Sequence, residues 1–216
     1  MPNQPAIILA SGSPRRQHLI KTLGLPFTVM VSDVSEDVDS ALSPAEAVRW
    51  LARLKAEVVA EEQSAGLVIG ADTMVVLDGM ILGKPANAAE ARHMLGLLRG
   101  RAHQVLSGVA VFDAAQNRSG ATSHVATTVW MNDTTDAQID AYVASGEPMD
   151  KAGSYAIQGQ GGALVARIEG CHNNVVGFPL CEVRALLDGF GVRLNGSDQE
   201  PVCALPDGRP CPNLGR

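Results

Sequence analysis

Residues 6–16 force an abrupt change of backbone geometry. Ala6-Ile7-Ile8-Leu9 is an apolar strand signal, while Ser13 is suited to cap a helix whose first position is Pro14. A strand must therefore give way to a helix across Ala10-Ser11-Gly12, which points to an α/β arrangement with its loop at the end of a strand. The loop holds only small residues and leads directly into Arg15 and Arg16. Small residues admit a phosphate close to the backbone, the helix start offers unpaired N–H groups, and arginines supply forked donors. The stretch reads as a polyphosphate grip, with an ordinary solvated helix start as the alternative.

A second run, residues 68–79, sets Asp72 among apolar and β-branched residues. A carboxylate in such surroundings must be paired, protonated or metal-bound, because its desolvation is costly. One reading is an Asp capping a turn after Gly70. The other is a carboxylate presented to a cleft by a strand, where it holds a divalent cation or deprotonates a water.

The remaining pattern alternates helix and strand. Residues 25–31 look like a second strand. Ser43-Pro44-Ala45-Glu46 is a capping box opening a helix to about Glu62, with Lys55 flanking its buried stripe. Asp78-Gly79 predicts a hairpin turn. Asn87 and Glu90 open a helix that runs to about Leu98 and that Gly100 can end. Residues 102–112 and 121–131 alternate as a strand pair. Thr135 to Gln138 start a short helix, residues 155–168 are glycine-rich and then strand-like, and residues 179–190 close with a helix.

A chain of 216 residues with 46% hydrophobic residues can bury a sizeable core. The net charge of −6 does not draw in nucleic acid or an anionic nucleotide, so phosphate recognition has to come from local Arg and Lys clusters. No apolar run reaches the roughly 20 residues that span a bilayer, and the N-terminus lacks a basic leader; the cytoplasm is the expected location. Cys171, Cys181, Cys203 and Cys211 form no CxxC pair and read as small hydrophobes, although Cys203 and Cys211 can pair if oxidised. His18, His93, His103, His124 and His172 show no metal-ligand spacing. From residue 195 the chain is rich in turn residues and poor in apolar ones, so one domain over 1–194 and a flexible tail over 195–216 are expected.

Five motifs in order, LASGSPRR (9–16), GADTMVVLDG (70–79), LGKP (82–85), EPMDKAGSYAIQGQGG (147–162) and NVVGFPL (174–180), resemble the Maf family of nucleoside triphosphate pyrophosphatases from about Ala6 to Arg193. The resemblance implies a Maf/inosine-triphosphatase-like α/β fold, with two lobes flanking a cleft around a long, bent mixed sheet. It implies hydrolysis at the α-phosphorus with a divalent metal, Mg²⁺ or Mn²⁺, which suits carboxylate, water and phosphate oxygens. Mapped onto this chain, Asp72, Glu36 and Lys84 take catalytic positions, with Glu36 and Asp72 also as metal ligands. Ser11, Arg15, Arg16, Lys55, Thr73 and Gln158 take substrate-binding positions. Asp72 is matched as proton acceptor, with metal ligation left open. Relatives carry paired glutamates where this chain has Ser35-Glu36. Asp150 and Lys151 either join the phosphate–metal network or brace their loop.

Within that family Arg15, Thr73 and Gln158 match the branch that resembles dTTP/UTP pyrophosphatases; the 7-methyl-GTP branch tends to place an aromatic after the loop proline and Gln after the Asp. An amide and a hydroxyl complement a pyrimidine edge through paired donors and acceptors. After Gly170, Cys171-His172 departs from the Ser-Tyr or Asp-Tyr usual in the family. The expected partner is a nucleoside triphosphate, with neither nucleic acid nor membrane and with a homodimer left open. The competing classes are a nucleotide-binding regulator of septum formation and a plain phosphatase or kinase. The chain has no GxxxxGK[ST] loop to support the kinase.

Overall fold

A computed structural model describes residues 4–115, 119–193 and 211. Its framework is a seven-stranded mixed sheet in the order β2-β1-β3-β5-β6-β7, with β4 also on β3. The strands are β1 (Ile7–Leu9), β2 (Phe27–Val29), β3 (Leu67–Leu77), β4 (Met80–Leu82), β5 (Ala102–Asp113), β6 (Gly120–Met131) and β7 (Val165–Glu169). The helices are α1 (Pro14–Lys21), α2 (Pro44–Glu61), α3 (Ala88–Leu98), α4 (Asp136–Ala144), α5 (His172–Val176) and α6 (Leu180–Gly189). The mixed α/β architecture expected from the sequence is borne out.

The caps form where the sequence placed them. Ser13 accepts the Arg16 N–H at the start of α1, capping boxes close at Ser43/Glu46 and Thr135/Gln138, and Asn87 caps α3. Such caps satisfy helix N–H groups that have no partner within the helix. Two expectations are trimmed. The second strand is Phe27–Val29 rather than 25–31, because among the described residues the three-residue β1 is its only strand partner. Of the glycine-rich 155–168 stretch only residues 165–168 are strand, in β7, which runs on to Glu169, and three short 3₁₀ turns spanning Glu147–Leu164 precede it.

β3 organises the core. Its odd-numbered residues Leu67, Ile69 and Ala71 pack into one cluster with Leu19, Ile20, Phe178 and Leu187. Further along, Val75 and Leu77 join another with Leu95, Leu98, Ile139 and Tyr142. Thr73 falls between these two cores. On the opposite face, Val68, Met74 and Val76 meet α2.

α2 lies very close to the sheet. A Cβ on Gly70 would stand 2.1 Å from the Ala52 carbonyl oxygen, and one on Gly108 2.1 Å from that of Val48. Glycine at these two positions, with Ala47, Ala52 and Ala56 fully buried opposite, allows helix and sheet backbones to approach.

Most of the expected tail, Cys203 included, lies outside the described residues. Cys211 is buried against Val125, Cys171 and Cys181, so the chain touches the body at that point.

Candidate active site

The register of β3 explains where the site is. On the edge away from β5, β1 pairs with residues 67–69 and β4 with residues 75–77. Between these partners the edge is open, and the gap contains Asp72 and Thr73. Asp72 is therefore a strand residue at a cleft rather than a turn cap. Side chains from both faces of β3 reach a cleft of about 770 Å³, lined by Ser11, Arg15, Arg16, Glu36, Lys55, Asp72, Thr73, Lys84, Gln158 and neighbours. Every sequence-predicted site residue is thus brought to one cavity.

Lys55 is the centre of its charge pattern. Its Nζ donates to Asp72 Oδ1 at 2.7 Å and to Glu36 Oε1 at 2.7 Å. Lys84 Nζ donates to the other Glu36 oxygen at 3.1 Å. Both members of the Lys55–Asp72 pair are about 10% exposed at the side chain, so neither charge is well solvated and each depends on the other. Burial raises the Glu36 carboxyl, but the bonds and charges of Lys55 and Lys84 outweigh it and hold the group down at about 2. Glu36 comes from the irregular stretch between β2 and α2, where the Ser35 hydroxyl donates to Asp37 and accepts its N–H. Lys84 follows a two-residue hairpin whose Asp78 (φ 50°) and Gly79 (φ 82°) are both left-handed, as a tight hairpin of that length requires.

Arg16 behaves differently from the expected phosphate grip. Its Nε donates to the Gly177 carbonyl at 2.9 Å, Nη1 to the Ala71 carbonyl at 2.8 Å and to Ser11 Oγ at 3.2 Å, and Nη2 to Thr73 Oγ1 at 3.2 Å. These bonds tie α1, β3 and the end of α5 together across the open edge. The guanidinium is spent largely on protein, which leaves Arg15 as the arginine facing the cleft with fewer ties. Thr73 Oγ1 also shares a hydrogen with Ser107 Oγ at 2.8 Å, so its hydroxyl belongs to the same brace.

Lys151 donates to the Glu147 carbonyl and to Asp150, contacts that brace the loop, and both residues also line the cleft. Tyr155, Val75, Val105 and Ile157 add an apolar wall; three of them stand within the quoted motifs, but none is expected at the site from sequence. Behind it, His103 Nε2 meets Tyr155 Oη at 2.7 Å. Burial pulls this histidine down to about 4, so it is neutral near pH 7. The signal for it was present: a polar residue on the inward phase of a strand that alternates buried and exposed at its start.

The fold and cleft define an α/β protein whose central strand carries a carboxylate paired with lysine at an uncovered edge. The family model for Maf-like protein matches residues 6–190, and the chain belongs to that family. It is 51% identical over 190 residues to the dTTP/UTP pyrophosphatase of Moorella thermoacetica, covering 88% of this chain and 97% of that one. It is 49% identical over 185 residues to the dTTP/UTP pyrophosphatase of Pelotomaculum thermopropionicum, covering 86% and 96%. Among solved structures, the Ham1 protein of Staphylococcus aureus aligns over 86% of this chain and 99% of its own, at 18% identity and a TM-score of 0.49.

Proposed function

We propose that this chain hydrolyses dTTP and UTP to the nucleoside monophosphate and pyrophosphate, with the catalytic unit inside residues 1–194. The observation that carries the reading is the Lys55 ammonium held between Asp72 and Glu36, with Lys84 beside it, on the wall of a cleft of nucleotide size. The relatives' names support the substrate class.

Phosphoryl chemistry of this kind is mostly positioning and charge neutralisation. Arg15, Lys84 and Lys55 supply positive charge to the triphosphate. Asp72 takes a proton from the attacking water or holds a cation near it. The base lies toward Thr73 and Gln158; the water oxygen bonds to the α-phosphorus as the bond from that phosphorus to the α,β-bridging oxygen breaks, so pyrophosphate departs and the monophosphate keeps the water oxygen.

The donor set fits a hard cation. Glu36 and Asp72 are two carboxylates bridged by one lysine, and among the described residues no group of three or more His, Cys, Asp or Glu side chains is placed to hold a metal. Mg²⁺ binds well with one or two carboxylates when substrate phosphates complete its shell. Glu36 and Asp72 would hold it with the triphosphate, and it would neutralise charge there.

Location in the cytoplasm is proposed on the same footing; among the described residues no helix is long and apolar enough to cross a membrane.

A panel of dTTP, UTP, CTP, GTP and 7-methyl-GTP with Mg²⁺, reading pyrophosphate and orthophosphate separately, tests the proposal. Pyrophosphate from dTTP and UTP at the highest kcat/KM is expected. Preference for 7-methyl-GTP, orthophosphate as sole product, or binding without turnover would overturn it. The last result would favour the regulator.

A further inference from the structure

The glycine-rich run after Gln158 has the composition of a phosphate cradle, but its surroundings give it another purpose. A Cβ on Gly161 would stand 2.6 Å from the Tyr142 hydroxyl, and one on Gly159 2.9 Å from Glu147 Oε2. Two side chains press against this backbone, and neither lines the cleft. Tyr142, buried on α4, donates its hydroxyl hydrogen to Glu147 Oε1 at 3.0 Å and accepts the Ala156 N–H at 3.3 Å. Glu147 accepts the Gln160 N–H at 3.1 Å and the Gly161 N–H at 3.1 Å. The segment is thus gripped on both sides of Gln158, which itself sits exposed at the cleft with no side-chain tie of its own among the bonds that hold the loop. With Tyr155 fixed on His103, the backbone from 155 to 161 has little freedom, and the direction in which Gln158 points is set from outside the cleft.

We propose that Tyr142 and Glu147 are positioning residues for nucleobase recognition, acting together as a clamp that fixes the 155–161 segment and aims Gln158 into the cleft. The inference rests on the reading that Gln158 meets the base. Its chemistry is consistent on both partners. Partial burial raises the Glu147 carboxyl, but the Gly161 and Gln160 N–H groups and the Tyr142 hydroxyl outweigh it and keep the group ionised as an acceptor. Burial and the adjacent Glu147 raise the Tyr142 phenol, which stays protonated and donates. A charge-assisted hydrogen bond of this type is about twice as strong as a neutral one, so the two residues hold each other as well as the loop.

The test uses the full chain with Tyr142→Phe, Glu147→Ala and the milder Glu147→Gln, alongside Gln158→Ala and the double variant Tyr142→Phe/Gln158→Ala. Amide hydrogen exchange of residues 155–161 is measured together with kcat and KM for dTTP and UTP. Tyr142→Phe and Glu147→Ala are expected to speed exchange in that segment and not in α2 or β3. They should raise KM about tenfold, the scale of one lost polar contact, with kcat within about twofold. Gln158→Ala should raise KM to a similar extent, and the double variant no further, because the clamp acts through Gln158. Unchanged exchange, a KM that does not move, or a double variant that loses the product of both effects would overturn the clamp. A wild-type chain that does not hydrolyse dTTP would instead refute the function proposed above, with the exchange result still reporting whether the segment is held. Gln158→Ala with KM unchanged would refute the base contact and with it the positioning role.

Discussion

Asp72→Asn is expected to cut steady-state dTTP turnover by about 10²–10⁴-fold, the range for losing a general base, while the protein still folds. The substitution keeps the size of the side chain and a carbonyl oxygen that can accept from Lys55, which now bonds Asp72 at 2.7 Å. Lys55 also retains Glu36, so its charge is not stranded. What disappears is the negative charge and the basic oxygen. Turnover and a melting curve, both at saturating Mg²⁺, check the outcome. Near-normal turnover would exclude an essential role, and a collapsed melting transition would make Asp72 a structural partner of Lys55. A metal titration of the same variant separates loss of the base from loss of a ligand.

Gly108→Ala should be the most destabilising single methyl that can be added near the site. The new Cβ would lie 2.1 Å from the Val48 carbonyl oxygen and 2.4 Å from its carbon, both backbone atoms of α2 that no rotamer change can move aside. Helix and sheet must separate, at a cost of about 3 kcal/mol or more, as in the harsher overpacked cores. For a chain of this size that lowers Tm by roughly 6–12 °C. Activity should fall as well, because Gly108 is the register partner of Asp72 and α2 carries Lys55. Gly96→Ala is the control: it lies within α3 with nothing inside 4 Å of the added Cβ, and should be neutral or slightly stabilising. Equal melting temperatures for the two variants would contradict the close approach of α2.

Local chemistry made much of this legible. Caps at Ser13, Ser43, Asn87 and Thr135 are short-range signals that do not depend on the rest of the fold, and each appears in place. Asp72 stood out because a carboxylate in an apolar run demands a partner. The identity of that partner was less visible. The sequence puts Lys55 beside the buried stripe of its helix and among the substrate-binding positions, with no sign that it pairs with Asp72, and it proves to be buried on the sheet with two carboxylates. That pairing depends on how closely α2 approaches β3, which two glycines on different strands decide together. The open edge at residues 70–74 was also beyond sequence reasoning, since it arises from where β1 ends and β4 begins along β3. The place of Arg16 at a helix start points to a phosphate ligand, whereas its partners on Ala71, Thr73 and Gly177 are all distant in sequence. The glycines at 159 and 161 carried a signal whose meaning needed Tyr142 and Glu147 beside them.

Hydrolysis of dTTP in water enriched in oxygen-18 tests the central claim most directly, because it shows which phosphorus the water attacks. If the cleft directs a water at the α-phosphorus, the label enters the thymidine monophosphate and the pyrophosphate carries none. Label in pyrophosphate, or in orthophosphate released from the chain end, would mean that the reaction at Asp72 is not the one proposed.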